Sequence, residues 1–136
     1  HYGKKLKIKK RKKNINFTYK YFNPVNHPTA IFNKRKILSI GGYPSIQRFE
    51  DYALWYKCII NGLKIQNIEE SLVYTFVDST YFSRRSGFNY CKMEINFQVY
   101  LLRNKYIDIF NFSFNCILRV FYALFGKFLK PLFVKI

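Results

Sequence analysis

The sequence predicts an α/β fold closed by a helical tail. Short apolar or alternating runs, bounded by Pro, Gly or polar residues, have the pattern of strands. Two segments, 52–60 and 88–106, repeat their apolar residues with helical period, and a third, 107–136, does so while carrying cations. The chain has 136 residues, of which 49% are hydrophobic and 21% aromatic. That composition supplies one core and excludes intrinsic disorder over most of the length.

The elements follow in order. Residues 15–22 alternate and are aromatic, so a strand is expected there. Residues 23–28 form a turn-rich stretch with two prolines. Residues 29–32 are a short apolar run, expected to be a buried strand. Residues 34–40 make a helical turn or two, closed by Gly41-Gly42. Tyr52, Trp55, Tyr56, Ile59 and Ile60 then mark the apolar face of the clearest helix, and Gly62 after Asn61 is its stop. Runs at 63–66 and 72–77 are expected strands on either side of Glu69-Glu70-Ser71. A polar loop fills 78–87. Phe88, Cys91, Ile95, Val99, Leu102 and Tyr106 predict a long amphipathic helix over 88–106.

The tail repeats Phe110, Phe114, Ile117, Phe121, Leu124, Phe128 and Leu132 every three or four residues, with Arg119, Lys127, Lys130 and Lys135 among them. Its longest uncharged run, 109–118, is 10 residues. A membrane-spanning helix needs about 20. The segment therefore predicts a cationic amphipathic helix, lying in a membrane interface or packing on its own domain or a partner.

The charge is +17, from 24 Lys and Arg against 7 Asp and Glu. Such a balance points to nucleic acid or an anionic membrane surface. Phe, Ile, Lys, Asn and Tyr supply 71 of the 136 positions, and A/T-rich codons are an alternative source of the excess. Eight of the ten residues at 4–13 are cationic. They read as a basic loop or tail over 1–20, solvated or held on acidic lipid at roughly 1 kcal/mol per cation. No helix-turn-helix, zinc or RNP-type motif supports nucleic acid. Cys58, Cys91 and Cys116 are odd in number and contain no C-x-x-C, and His1 and His27 are the sole histidines. A disulfide scaffold and a structural zinc site are thus disfavoured, and reduced cytosolic thiols are expected. The chain starts at His1 with a hydrophilic N-terminus and no signal peptide, which suggests residues missing upstream.

Two clusters carry candidate chemistry. Glu50-Asp51 follow a Gly-Gly-Tyr turn at a helix start. The helix dipole favours anions there by roughly 0.3–1 kcal/mol, and an ionised carboxylate is a competent base. Plain capping explains the same pair. Arg84-Arg85 lie in a loop with Ser83, Ser86 and Gly87 and suit a diphosphate, since guanidinium forks bind phosphate bidentately; a solvated loop is the alternative. His27, in Asn-His-Pro-Thr, reads first as a turn histidine. The sequence has no G-x-x-x-x-G-K-[ST], no G-x-G-x-x-G and no Asp-x-Asp.

Taken in order, Asn23-Pro-Val-Asn-His-Pro-Thr29, Gly41-Gly-Tyr43, Phe49-Glu-Asp-Tyr-Ala-Leu-Trp55, Gly62 and Tyr81-Phe-Ser-Arg-Arg-Ser-Gly87 resemble the C-terminal half of a family 2 glycosyltransferase. The type is that of bacterial exopolysaccharide, capsule and lipopolysaccharide synthesis, amylovoran biosynthesis included. The resemblance covers about residues 21–106. It implies the C-terminal part of a GT-A doubly wound α/β/α sandwich, with 21–106 as its acceptor-side half and 107–136 as a tail. It implies inverting transfer of a sugar from a nucleotide diphosphate to a hydroxyl of a growing surface polysaccharide or lipid-linked glycan. Asp51 matches the family's general base, and Glu50 orients the site or the acceptor. Arg84 and Arg85 match a loop near the donor diphosphate. His27, Gly41, Gly42 and Tyr43 would line the acceptor side. Trp55 matches a family position, while its helical phase assigns it to the core.

The family's Asp-x-Asp, which carries Mg²⁺ or Mn²⁺, is not in this chain. The resemblance therefore implies a fragment, inactive alone, whose metal is bound elsewhere in the complete enzyme. Its place would be the cytoplasm, peripheral at the inner face of the cytoplasmic membrane, with nucleotide-sugar and lipid-linked acceptor as partners and no nucleic acid. The alternative is a non-catalytic basic module for nucleic acid or anionic membrane, or a remnant without function.

Overall fold

The computed structural model describes Ile15, residues 18–70, 72–73, Arg85 and 87–133, with side chains beyond Phe121 described at Phe125 alone. The chain divides into two compact units, one of residues 10–73 and one that includes 74–136.

The first unit is built around a helix that is buried on most sides. Helix α1, Lys34–Ser39, starts at Asn33, whose side chain accepts a hydrogen bond from the Lys36 amide. It ends where the Gly42 amide donates to the Ile37 carbonyl at 2.9 Å, with Gly41 and Gly42 at φ +82° and +60°. Positive φ is cheap for glycine alone, so the Gly-Gly pair closes the helix as its sequence predicts. Helix α2, Glu50–Ile60, buries Tyr52 to Tyr56 and Cys58. Leu54, Trp55 and Cys58 pack with Ile15, Val25 and Ile37. Each fully buried large side chain contributes roughly 1.5–3 kcal/mol of burial. The expected face is only partly right: Ile60, one of its five members, is half exposed at 49%, while Ala53 and Leu54 are fully covered.

The expected strands are corrected here. No strand forms among the described residues. Within 15–22, Thr18–Lys20 is a 3₁₀ turn. Within 29–32, Ile31 is fully exposed, and the preceding His27–Thr29 is again a 3₁₀ turn with Pro28 at its start. Residues 63–66 keep strand-like alternation: Leu63 and Ile65 pack on the core while Lys64 and Gln66 are exposed. A strand, however, is defined by a neighbour that takes its backbone bonds, and none lies alongside among the described residues. Leu72 and Val73 are exposed and outside any strand, and 74–77 lie outside the described residues. The described residues thus form a helical assembly, and no sheet of the expected α/β/α sandwich is seen among them.

The second unit is a helical hairpin. Helix α3, Phe88–Arg103, is joined to helix α4, Ile109–Phe133, by a tight turn. Lys105 takes φ +57° there, and the Tyr106 amide donates to the Leu101 carbonyl at 2.9 Å. Asp108 starts α4: its carboxylate accepts from the Asn111 amide at 2.8 Å, and its carbonyl accepts from Phe112. The period expected over 88–106 holds, but the phase does not. The buried residues are Glu94, Phe97, Gln98 and Leu101, whereas Phe88 is 79% exposed. The reason is what α4 brings. Arg119 Nη1 donates to Glu94 at 2.6 Å, and Asn115 Nδ2 donates to Gln98 Oε1 at 3.1 Å. These polar partners face one another inside the hairpin. Phe110, Phe114, Ile117, Phe121 and Phe125 of α4 are left exposed.

Candidate active site

Asp51 is the second residue of α2, behind the exposed Glu50. The chain enters the helix through Arg48 at φ +68°, a left-handed conformation that costs a non-glycine residue about 1–2 kcal/mol. Phe49 precedes the helix without a side-chain cap, so the first-turn acids face the positive end of the helix dipole.

The half-buried Asp51 is held from a distance. Asn23, 28 residues earlier, donates from Nδ2 to Asp51 Oδ2 at 2.9 Å. The other end of that amide accepts from the Val25 amide at 3.3 Å. The Pro24 carbonyl accepts from Asn67 Nδ2 at 3.0 Å, and Val25 is buried in the core. The Asn-Pro turn is thereby tied down on both sides.

His27 and Tyr43 meet as well. His27 Nε2 and Tyr43 Oη are 2.8 Å apart, with the rings edge-on at 5.7 Å. Burial, and then the charges of Asp51, Cys58 and Glu50, push the Tyr43 hydroxyl above its ordinary value. Tyr43 therefore stays protonated at neutral pH and can donate to an unprotonated Nε2. The His27 ring also lies edge-on to Trp55 at 6.3 Å. Lys57 Nζ donates to the Gly42 carbonyl at 3.1 Å, and a Cβ on Gly41 would sit 3.2 Å from that ammonium. The Gly-Gly turn is thus bound to α2; a side chain at Gly41 would press on the Lys57 ammonium, and at Gly42 only the positive φ opposes one.

The structure brings together Glu50, Asp51, Tyr43, His27, Gly41 and Gly42 in the first unit. Arg84 lies outside the described residues. Arg85 is exposed in the second unit, where its charge favours ionisation of the Tyr90 hydroxyl against burial and Glu94, which together raise it well above its usual value. Sequence reasoning missed Asn23 and Lys57 as site residues. The signal for Asn23 was present, since Asn before Pro initiates turns whose side chain binds the backbone two residues on. Lys57 carries no local signal.

The Asp51 carboxylate can accept a proton from a hydroxyl, and the His27 imidazole and Tyr43 phenol can hydrogen-bond a polar ligand. Among the described residues no group of three His, Cys, Asp or Glu comes together to hold a metal. The Mg²⁺ or Mn²⁺ implied by the resemblance does not fit these residues.

No family model and no solved structure matches the chain. Three curated proteins do. The chain is 38% identical to the UDP-Gal:alpha-D-GlcNAc-diphosphoundecaprenol beta-1,3-galactosyltransferase of Escherichia coli, over 75% of its own length and 37% of that protein. It is 41% identical to an uncharacterized glycosyltransferase of Haemophilus influenzae, over 59% of the chain and 29% of the relative. It is 35% identical to the amylovoran biosynthesis glycosyltransferase AmsE of Erwinia amylovora, over 60% and 30%. The chain spans about a third of the length of each, and by sequence it is a relative of these glycosyltransferases.

Proposed function

We propose that the chain is the acceptor-side, C-terminal part of an inverting family 2 glycosyltransferase of GT-A architecture, with Asp51 as its general base. The similarity to three glycosyltransferases carries the reading, and the Asp51 setting supports it. In a single displacement, an acceptor hydroxyl gives its proton to an Asp51 carboxylate oxygen. The acceptor oxygen bonds to the anomeric carbon from the face opposite the nucleotide. The carbon–oxygen bond to the diphosphate breaks, and the nucleoside diphosphate leaves with that electron pair. His27 and Tyr43 hydrogen-bond the acceptor, Glu50 orients it, and Arg84 and Arg85 bind the departing diphosphate.

The same reading places the enzyme on the inner face of the cytoplasmic membrane, acting on a lipid-linked acceptor for surface polysaccharide. The exposed stripe of α4 supports this. Its apolar residues face outward, the helix contains no acid, and the whole chain is strongly cationic, which suits an anionic bilayer.

The test uses the intact enzyme. UDP release from UDP-galactose is measured with a synthetic GlcNAc-diphospholipid, the pair named for the Escherichia coli relative, and then with other nucleotide sugars. Asp51→Asn should lower the rate by about 10²–10⁴-fold. A near-normal rate ends the assignment.

A further inference from the structure

We infer that Asn23 is the positioning residue of the site, aiming the Asp51 carboxylate at the acceptor hydroxyl. This rests on the reading of Asp51 as the base.

Asp51 stands where a local cap would be expected to satisfy it, yet its side chain is bound by a residue 28 positions away. The bond is specific in direction. The Val25 amide engages Asn23 Oδ1, so that end of the side chain is identified as the acceptor, and Nδ2 is the end that meets Asp51 Oδ2. Asn23 is itself anchored, because Val25 is buried and Asn67 holds the Pro24 carbonyl. The anchor is therefore the core of the first unit and not a free loop.

The choice of an amide matters chemically. Among the described residues Asp51 has no ion-pair partner. A cation at Oδ2 would neutralise the carboxylate and weaken it as a base. A neutral amide fixes the plane of the carboxylate and leaves its charge in place. It occupies one lone pair of one oxygen, so the remaining acceptor positions are available to a hydroxyl. A base needs this geometry more than added strength, since a displacement of about 1 Å can cost about 10²-fold in rate.

Asn23→Asp in the intact enzyme isolates the role. The substituted side chain has the same shape and can still accept from the Val25 amide, so the turn is retained. It presents a carboxylate oxygen to Asp51 instead of an N–H donor, so the two acids repel or share a proton and Asp51 is no longer held as a free base. The expected result is a fall in kcat of about 10–100-fold with KM for the nucleotide sugar within about twofold. The same substitution on an Asp51→Asn background should produce no further loss, because Asn23 acts only through Asp51. Asn23→Ala, which removes both bonds, should lose at least as much kcat and also lower Tm; Asn23→Asp keeps the test decisive where the alanine variant fails to fold. Wild-type kcat in Asn23→Asp overturns the inference, as does an equal loss on both backgrounds. These failures leave Asp51→Asn inactive, whereas an active Asp51→Asn refutes the parent reading instead.

Discussion

The two units solve opposite problems. In the first, α2 puts Leu54, Trp55 and Tyr56 inside and leaves Glu50 exposed, with Asp51 half-buried beside it. In the second, α3 and α4 put Glu94, Gln98, Asn115 and Arg119 between them and, among the described residues, turn seven large apolar side chains outward. The described residues of both units are helical, and both have helical periodicity in sequence. What differs is the side on which the apolar face is spent. A hairpin whose interior holds polar pairs beside Phe97 and Leu101 leaves many apolar residues available for a second partner, while α2 has committed most of its own to the core. The Asp51, His27 and Tyr43 cluster lies in the first unit, and the proposed bilayer contact in the second.

The contrast can be broken experimentally. The largest effect is expected at the polar seam. Arg119→Met leaves the Glu94 carboxylate buried without its cation and should destabilise the hairpin by about 3–5 kcal/mol in urea unfolding. The double replacement Glu94→Leu with Arg119→Met should recover most of that loss. If the single change is neutral, the seam does not hold the helices together.

Next comes the apolar core of the first unit. Leu54→Ala should cost about 2–5 kcal/mol. Ile117→Ala on the exposed stripe should leave unfolding unchanged to within about 0.5 kcal/mol. Equal costs would mean that the two faces are not different in kind.

The stripe should matter for lipid instead. Phe114→Ser with Phe121→Ser should weaken sedimentation of the intact enzyme with phosphatidylglycerol vesicles by about tenfold or more, with Tm unchanged. Binding that persists at full strength removes the helix from the membrane contact.

The smallest effect concerns the start of α4. Bonds from the Asn111 backbone and side chain hold the Asp108 carboxyl below its ordinary value of 3.8. A lowered value in the folded state favours folding above pH 3.8 and loses that contribution as pH falls through the folded value. Asp108→Ala should therefore reduce hydrogen-exchange protection at the first turn of α4 at neutral pH and make little difference in strong acid.

Much of this was legible in the residues. The Gly41-Gly42 and Gly62 stops, the α2 segment and both helices of the hairpin follow from glycine's freedom at positive φ and from apolar repeats of three and four. The Glu50-Asp51 start was visible for the same reason, as were His27 and Tyr43 in short ordered motifs. No strand forms at the described residues of 15–22, 29–32 and 63–66, because alternation reports which side is buried and not whether a neighbour supplies the ladder. The 63–66 stretch has the first and lacks the second among the described residues. The α3 phase was misread because Glu94 and Gln98 look like solvent positions until Arg119 and Asn115 are placed opposite them.

By itself, then, the sequence determined local structure and the likeness to glycosyltransferases, since helix period, caps and turns act over a few residues and ordered motifs survive as text. The tertiary structure alone decided that Asn23 meets Asp51 across 28 residues, that His27 meets Tyr43, and that Glu94 and Gln98 of α3 meet Arg119 and Asn115 of α4. Those pairings depend on where distant segments come to rest, and the free energy that selects them is the packing and desolvation of the whole unit rather than the preference of any residue in it.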